Sequence, residues 1–388
     1  MAPMYDFHSH SYPGESFHSI LKELRNNGDL SEVTFNGHPA TIITSHRALK
    51  AAFEDNHLFP GHLSYQMSIE QSIGKSFISM SDPEPHRTYR KLSTPAFKSR
   101  NIAVYDDEIF FYTANNLIDA LVEKKEIDLV KDFTARFPYL VITQLLGIPK
   151  DKEEEFHDWA MALLLPEENE NSEKKQSTFY NVLRPIIALR RKSPKQDIIS
   201  ELTAVEIDGI KLNDDEILSH IGLLFPTGGE TTHGSLGNLL YALLTHPSLW
   251  QRLRAEPHLI PSAVDELSRW ESSVALLPRI SADKSFNFFD FNVPPNSLIL
   301  FGIAAANRDP SVFNNPDEFN IERDSKDTLA FGRGPKTCPG KHLAKRNMIV
   351  AIQLLLERLP NLELTNIEDS QPRGSALRSP LALNVTQV

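Results

Sequence analysis

Apolar and polar positions change their period along the chain, and the changes divide it into blocks. Near the start, the short runs Glu32–Phe35 and Ala40–Ile43 flank Asn36-Gly37. That dipeptide predicts a hairpin, because both residues tolerate the positive φ that a tight two-residue turn requires. From Asp106 to about Leu267 the pattern is mainly helical. A proline-rich stretch with strand character follows, in Ser285–Val293 and Ser297–Ile303, and strand character returns over 361–388. Between them a strong helix runs from about Lys341 to Leu359 and stops at Pro360, where a helix cannot easily continue. Pro166–Gln176 is dense in Glu, Asn, Lys and Ser and reads as a solvated connector between helices.

One helix is unusually long. Asn213 caps it, with Glu216 three residues on as the reciprocal capping-box partner. Helical character then runs to Thr245, about 33 residues or roughly 50 Å at 1.5 Å per residue. The mean helix has only about 11–12 residues. Its middle reads Pro226-Thr227-Gly228-Gly229-Glu230-Thr231-Thr232. Proline removes an amide, and each glycine costs about 1 kcal/mol relative to alanine. Packing alone does not favour such a centre, so a kink is expected there, beside an acid and two hydroxyls, as a place where something binds.

Composition narrows the class. At 388 residues, 40% hydrophobic and 23% charged, the chain is an ordinary globular protein, and length alone suggests two or three domains. A net charge of −11 argues against non-specific nucleic-acid binding. The most apolar stretch, Ile217–Gly229, is shorter than the roughly 18–20 residues that cross a bilayer. Met1–Pro13 holds Asp6, His8 and His10 and no apolar run, so no signal peptide is expected, and the expected location is cytoplasmic.

The single cysteine, Cys338, lies in Phe331-Gly332-Arg333-Gly334-Pro335-Lys336-Thr337-Cys338-Pro339-Gly340, directly ahead of the apolar helix. Backbone amides and the helix dipole favour a thiolate there. A buried structural cysteine is the alternative. A nucleophilic cysteine lacks a recognisable His and Asn/Asp pattern, and zinc lacks a second cysteine. From Arg333 to Arg346 the chain has five cations (Arg333, Lys336, Lys341, Lys345, Arg346) and no acid. This excess reads either as a docking face for an acidic partner or as a set of solvated cations.

These residues resemble the cytochrome P-450 family of heme-thiolate monooxygenases. Phe331, Gly334, Cys338 and Gly340 match its Phe-x-x-Gly-x-x-x-Cys-x-Gly loop. Glu266-Leu267-Ser268-Arg269 matches its Glu-x-x-Arg, and Thr227–Thr232 its Gly-x-Glu-Thr-Thr helix centre. Asp82-Pro83 with His86 and Arg90, Ala305–Asp309 and Pro316–Phe319 match in the family's order. The resemblance covers the chain from about residue 30 onward. It implies a mainly α fold with a small β-rich lobe, one domain over 1–388, and heme b between the long central helix and the cysteine loop.

The resemblance also assigns roles. Cys338 is the iron ligand; His86, Arg90, Arg279 and Lys336 meet the heme propionates; Phe331 and Gly340 shape the loop. Lys336 stands where the family often has His or Arg, and it keeps the charge without the planar fork. Thr231 and Glu230 are the catalytic pair, the hydroxyl on the oxygen side and the acid relaying protons from solvent. Glu266 and Arg269, i and i+3 on a helix, join Arg323 as a structural network. Substrate contacts are expected from Gly61–Phe77, 162–165, Leu223–Thr227, Val274–Leu277 and Ala376–Leu377, with Leu164, Leu223, Thr227, Val274, Leu277 and Leu377 foremost.

The implied reaction is insertion of one oxygen atom of O2 into a small, largely apolar organic substrate by hydroxylation, epoxidation or O-dealkylation. The polar residues of Gly61–Phe77 keep O-demethylation of a hydroxylated or ether substrate open. A peroxide-driven peroxygenase and a non-enzymatic heme-thiolate sensor are further alternatives, against which the Glu230-Thr231 pair counts. No Gly-x-Gly-x-x-Gly follows a strand. Electrons are therefore expected from NAD(P)H through a separate reductase and an acidic ferredoxin, docking near Arg333, Lys341, Lys345 and Arg346 on a monomer.

Overall fold

The computed structural model describes residues 5–7, 12–97, 102, 105–152, 155–156, 158–159 and 171–388. The expected hairpin forms: Asn36 and Gly37 have φ of 49° and 77°, and Leu30–Phe35 folds back on His38–Ile43 with Phe35 opposite His38. His38–Ile43 then pairs in parallel with Leu298–Gly302, Thr41 facing Ile299. Leu298–Gly302 pairs antiparallel with Leu276–Ile280, which sets Arg279 across from Ile299. Asp6–Phe7 completes this five-stranded sheet at its other edge. The stretch expected as Ser285–Val293 is two strands, Phe286–Phe288 and Phe291–Val293, reversed at Phe289-Asp290.

Leu362–Leu364 and Asn384–Gln387 form a second sheet with Glu126–Asp128. That last strand is a correction of detail within 106–267, which is otherwise mainly helical as expected. Three residues with one buried side chain, Ile127, are too short a run to show a period. A second correction concerns Pro166–Gln176. Its residues 166–170 lie outside the described residues, but a helix starts at Ser172 and continues to Lys192. Glu, Lys and Gln are good helix formers, so a polar run alone does not mark a loop.

The long helix spans Asp214–Leu244. Both capping-box bonds form, Glu216 N–H to Asn213 Oδ1 at 2.9 Å and Asn213 N–H to Glu216 Oε2 at 2.8 Å. The helix is continuous through Pro226. Packing explains the glycines after all. A Cβ on Gly229 would meet the Tyr139 ring at 2.2 Å, and one on Gly228 would meet Ile142 at 2.8 Å. Helix Phe137–Leu146 therefore lies flush against the centre of the long helix. Among the described residues no helix is long and apolar enough to cross a membrane.

Two buried carboxylates tie distant segments together. Glu266 and Arg269 are fully buried and paired at 2.7 Å. Arg323 and Ser325 complete the shell of Glu266 at 3.1 and 2.7 Å. Glu271, five residues on, accepts from Arg378 at 2.6 Å and contacts His18 at 2.8 Å. Arg378 in turn donates to the carbonyls of Tyr12 and Gly14, so one acid fastens the N-terminal helix to the C-terminal turn.

Burial alone would raise the Glu271 pKa, but Arg378, His18 and Arg308 overcome it and hold the carboxylate well below its usual range. A depressed folded-state pKa contributes stability above the unfolded value, and that contribution fades as pH falls toward the folded value. Glu271→Gln is therefore expected to lose about 3–5 kcal/mol at pH 7. In thermal melts from pH 7 to pH 3 the gap to wild type should narrow below about pH 4.5. A gap independent of pH would show that Glu271 is not a stabilising charge.

Candidate active site

The cysteine loop is shaped by its glycines. Gly332 and Gly334 have φ of 65° and 69°. At Gly334 a Cβ would also stand 2.8 Å from the Phe53 carbonyl oxygen. A 3-10 turn at Gly334–Lys336 leads back so that Cys338 N–H donates to the Phe331 carbonyl at 2.8 Å. Gly340 then caps helix Lys341–Arg358. The amides of Gly340 and Lys341, at the start of that helix, favour negative charge on the Cys338 sulfur. Burial pushes the thiol pKa up, while these amides and Arg90 oppose the shift. Cys338 lies deep in the fold, yet its side chain is accessible, because it opens onto an internal cavity.

That cavity has a volume of about 280 Å³, at the lower end of the roughly 300–1,000 Å³ of a pocket for one drug-sized molecule. Cys338, Phe331, Gly340, Leu343 and Ala344 line it from the loop side, and Leu223, Thr227, Gly228, Thr231 and Thr232 from the long helix. Phe97, Val274 and Leu277 add apolar wall. Four serines that sequence reasoning missed, Ser235, Ser268, Ser272 and Ser273, also line it. Nothing in their local pattern marks them. Chains of hydrogen bonds reveal them, Ser235 to Ser273 at 2.8 Å and Asn307 to Ser272 at 3.0 Å.

One stretch of the wall is cationic. Arg279 is 4% exposed. Its guanidinium donates to the Pro278 carbonyl at 2.9 Å and lies over the Tyr65 ring, and no carboxylate among the described residues pairs with it. Lys336 also lines the cavity, but it meets Asp82 at 3.3 Å and the Ile78 and Met80 carbonyls. Burial, opposed by Asp82, pushes Lys336 down to about 8. His86 and Arg90 stand one layer behind, against the Phe77 ring. Arg90 donates to the Thr337 carbonyl beside the cysteine. His86 Nδ1 pairs with Asp82 at 2.8 Å, and its buried Nε2 has no hydrogen-bond partner. Burial and the Lys336 ammonium push His86 down to about 4. Asp82 thus organises two of the expected cations; its place beside Pro83 in the matched motif was the available signal.

The donor set fits a flat apolar macrocycle that carries iron and carboxylates. A soft sulfur faces the cavity, the walls are apolar, and a buried guanidinium and an unpartnered imidazole nitrogen lie on or just behind one side. Arginine is the natural partner of a carboxylate.

The expected catalytic pair divides. Thr231 lines the cavity, its Oγ1 donating back to the Thr227 carbonyl at 2.8 Å. Glu230 is not among the lining residues; its Oε2 accepts from the Tyr139 hydroxyl at 2.8 Å on another side of the helix. Of the substrate residues, Leu223, Thr227, Val274 and Leu277 line the cavity. Leu377, which bridges to Val274 and is 43% exposed, does not. Leu164 lies outside the described residues. The proposed docking cations are partly neutralised, Arg333 by Glu54 at 2.9 Å and Lys345 by Asp265. Lys341 and Arg346 rest over the rings of Phe331 and Phe111.

Comparison with known proteins identifies the architecture. A profile described as Cytochrome P450 matches residues 156–385. "Polyketide biosynthesis cytochrome P450 PksS" of Bacillus subtilis is 31% identical over 94% of this chain and 93% of its own length. "6-deoxyerythronolide B hydroxylase" of Saccharopolyspora erythraea is 30% identical over 90% and 91%. The crystal structure of the myxobacterial cytochrome CYP267B1 in complex with myristic acid superposes with a TM-score of 0.85 at 28% identity, covering 96% of each chain. With a cysteine opening onto a cavity beneath a long helix, a buried Glu-Arg-Arg network and these relatives, the chain belongs to the cytochrome P450 family of monooxygenases.

Proposed function

We propose that the chain, acting as one monomeric cytoplasmic domain, inserts an oxygen atom of O2 into a small, largely apolar organic substrate. The observation that carries this reading is that Cys338 and Thr231 line the same apolar cavity. A thiolate-ligated heme b, when bound, supplies reductive activation of O2 and favours O–O cleavage. Cys338 is its ligand, the Gly340 and Lys341 amides support the sulfur's negative charge, and Arg279 takes one heme carboxylate. With Lys336 engaged by Asp82, His86 serves the other only when its ring is protonated, Nδ1–H held by Asp82 and Nε2–H then free to donate.

The protein supplies protons at one atom. Thr231 Oγ1 is held by its bond to the Thr227 carbonyl and turns that proton toward the cavity when a stronger acceptor arrives. Glu230, the adjacent residue, replenishes it from solvent. Substrate is held by Leu223, Val274 and Leu277, with Thr227 as a polar contact. The row of serines on the same wall favours a second reading, O-demethylation of a substrate with hydroxyl or ether groups. Electrons come from NAD(P)H through a reductase and an acidic ferredoxin. With Arg333 and Lys345 paired, Lys341 is the cation without a carboxylate partner among the described residues.

Thr231→Ala is expected to keep heme content and the spin shift induced by myristic acid or another bound organic. Product per reducing equivalent should fall roughly ten-fold, with hydrogen peroxide taking up the difference. Unchanged coupling would remove Thr231 from the mechanism. Lys341→Glu should slow reduction by ferredoxin roughly three-fold at low ionic strength, an effect that salt abolishes. Identical rates at low salt would place the docking face elsewhere.

A further inference from the structure

Glu230 is flanked by residues that face the cavity, Gly228, Thr231 and Thr232, yet it does not face the cavity itself. Its carboxylate is held by Tyr139, whose hydroxyl donates to Oε2 at 2.8 Å. Tyr139 is 3% exposed, and its pose is tightly determined. The ring occupies the space that a side chain at position 229 would fill, within 2.2–2.7 Å of a Gly229 Cβ. Phe225 packs on it at 5.5 Å between ring centres. Burial and Glu230 push the phenol pKa well up, so it remains a donor. One turn further along the helix, His233 Nδ1 lies 3.0 Å from Thr134 Oγ1, and burial pushes its pKa down against the pull of Glu230. Tyr139, Glu230, His233 and Thr134 form a polar strip between the long helix and its neighbours, inside otherwise apolar packing.

We propose that Tyr139 is a positioning residue, a latch that parks the Glu230 carboxylate on the side of the long helix away from the cavity and releases it inward during turnover. The inference rests on the proposed proton-relay role of Glu230. A single hydrogen bond gives the acid one resting orientation and still opens on the timescale of a catalytic cycle. The paired glycines acquire a role through it: Gly229 lets the ring approach closely enough for the hydroxyl to reach the acid one residue on.

The test uses holoenzyme with a surrogate ferredoxin and its reductase. Tyr139→Phe keeps the ring over Gly229, so heme spectrum, melting temperature and KM should stay at wild-type values. The share of consumed O2 released as hydrogen peroxide should rise roughly three-fold. In infrared difference spectra of the resting protein, the carboxylate band lost in Glu230→Gln should move in Tyr139→Phe. A tyrosine C–O band should likewise move in Glu230→Gln, a reading that does not depend on how Tyr139→Phe folds. If Glu230→Gln raises peroxide while Tyr139→Phe leaves both peroxide and the carboxylate band unmoved, the latch is wrong and the role of Glu230 stands. If Glu230→Gln itself leaves the peroxide share unchanged, the relay reading falls and the latch with it.

Discussion

The Glu266 carboxylate has no exposed surface, and its charge is answered by Arg269 on its own helix together with Arg323, Ser325 and the Asn320 amide brought from a distant segment. Leaving such a charge unpaired costs about 3–5 kcal/mol, so Arg269, Arg323 and Ser325 must arrive together. Arg269 then has donors left over, and they grip the carbonyls of Asn307, Pro316 and Glu318. Asn307 in turn accepts from Leu329 N–H at 2.8 Å, two residues before Phe331. The network therefore reaches, bond by bond, from the helix Ile260–Trp270 to the start of the cysteine loop.

Within that frame the long helix has two chemically different sides. The cavity side carries Thr227, Thr231 and Ser235, each hydroxyl bonded back to the carbonyl four residues earlier. The other side carries Gly229 and Glu230 against Tyr139. The hydroxyls can release protons into the cavity without disturbing the helix, because each back bond is an addition to the helical ladder and not part of it. The acid is held there by the Tyr139 hydroxyl. Close packing against Tyr139 and Ile142 explains Gly228 and Gly229 at the centre of this 31-residue helix.

Much of this was legible in the sequence because it depends on local chemistry. Asn36-Gly37 fixes a turn, Asn213 and Glu216 fix a helix start, and the spacing from Phe331 to Gly340 fixes a loop. The polar serine wall was not legible, since Ser235 on the long helix meets Ser268, Ser272 and Ser273, on and just after another helix, only in three dimensions. The strand at Glu126–Asp128 was hidden for a related reason: its partner, Asn384–Gln387, lies more than 250 residues away in sequence. The packing reason for the glycine pair was not legible, because the Tyr139 ring that requires it sits on another helix. Leu377 was expected in the pocket because position in the sequence does not reveal which side of a bridging residue faces inward.

The central claim is that the Cys338 sulfur is the ligand of a heme iron. The direct measurement is the optical spectrum of the purified protein, reduced and saturated with carbon monoxide, for wild type and Cys338→Ser. The account predicts a strongly red-shifted Soret band in the wild type and its loss in the variant. A wild-type band typical of histidine ligation, or a red-shifted band that survives in Cys338→Ser, would contradict it.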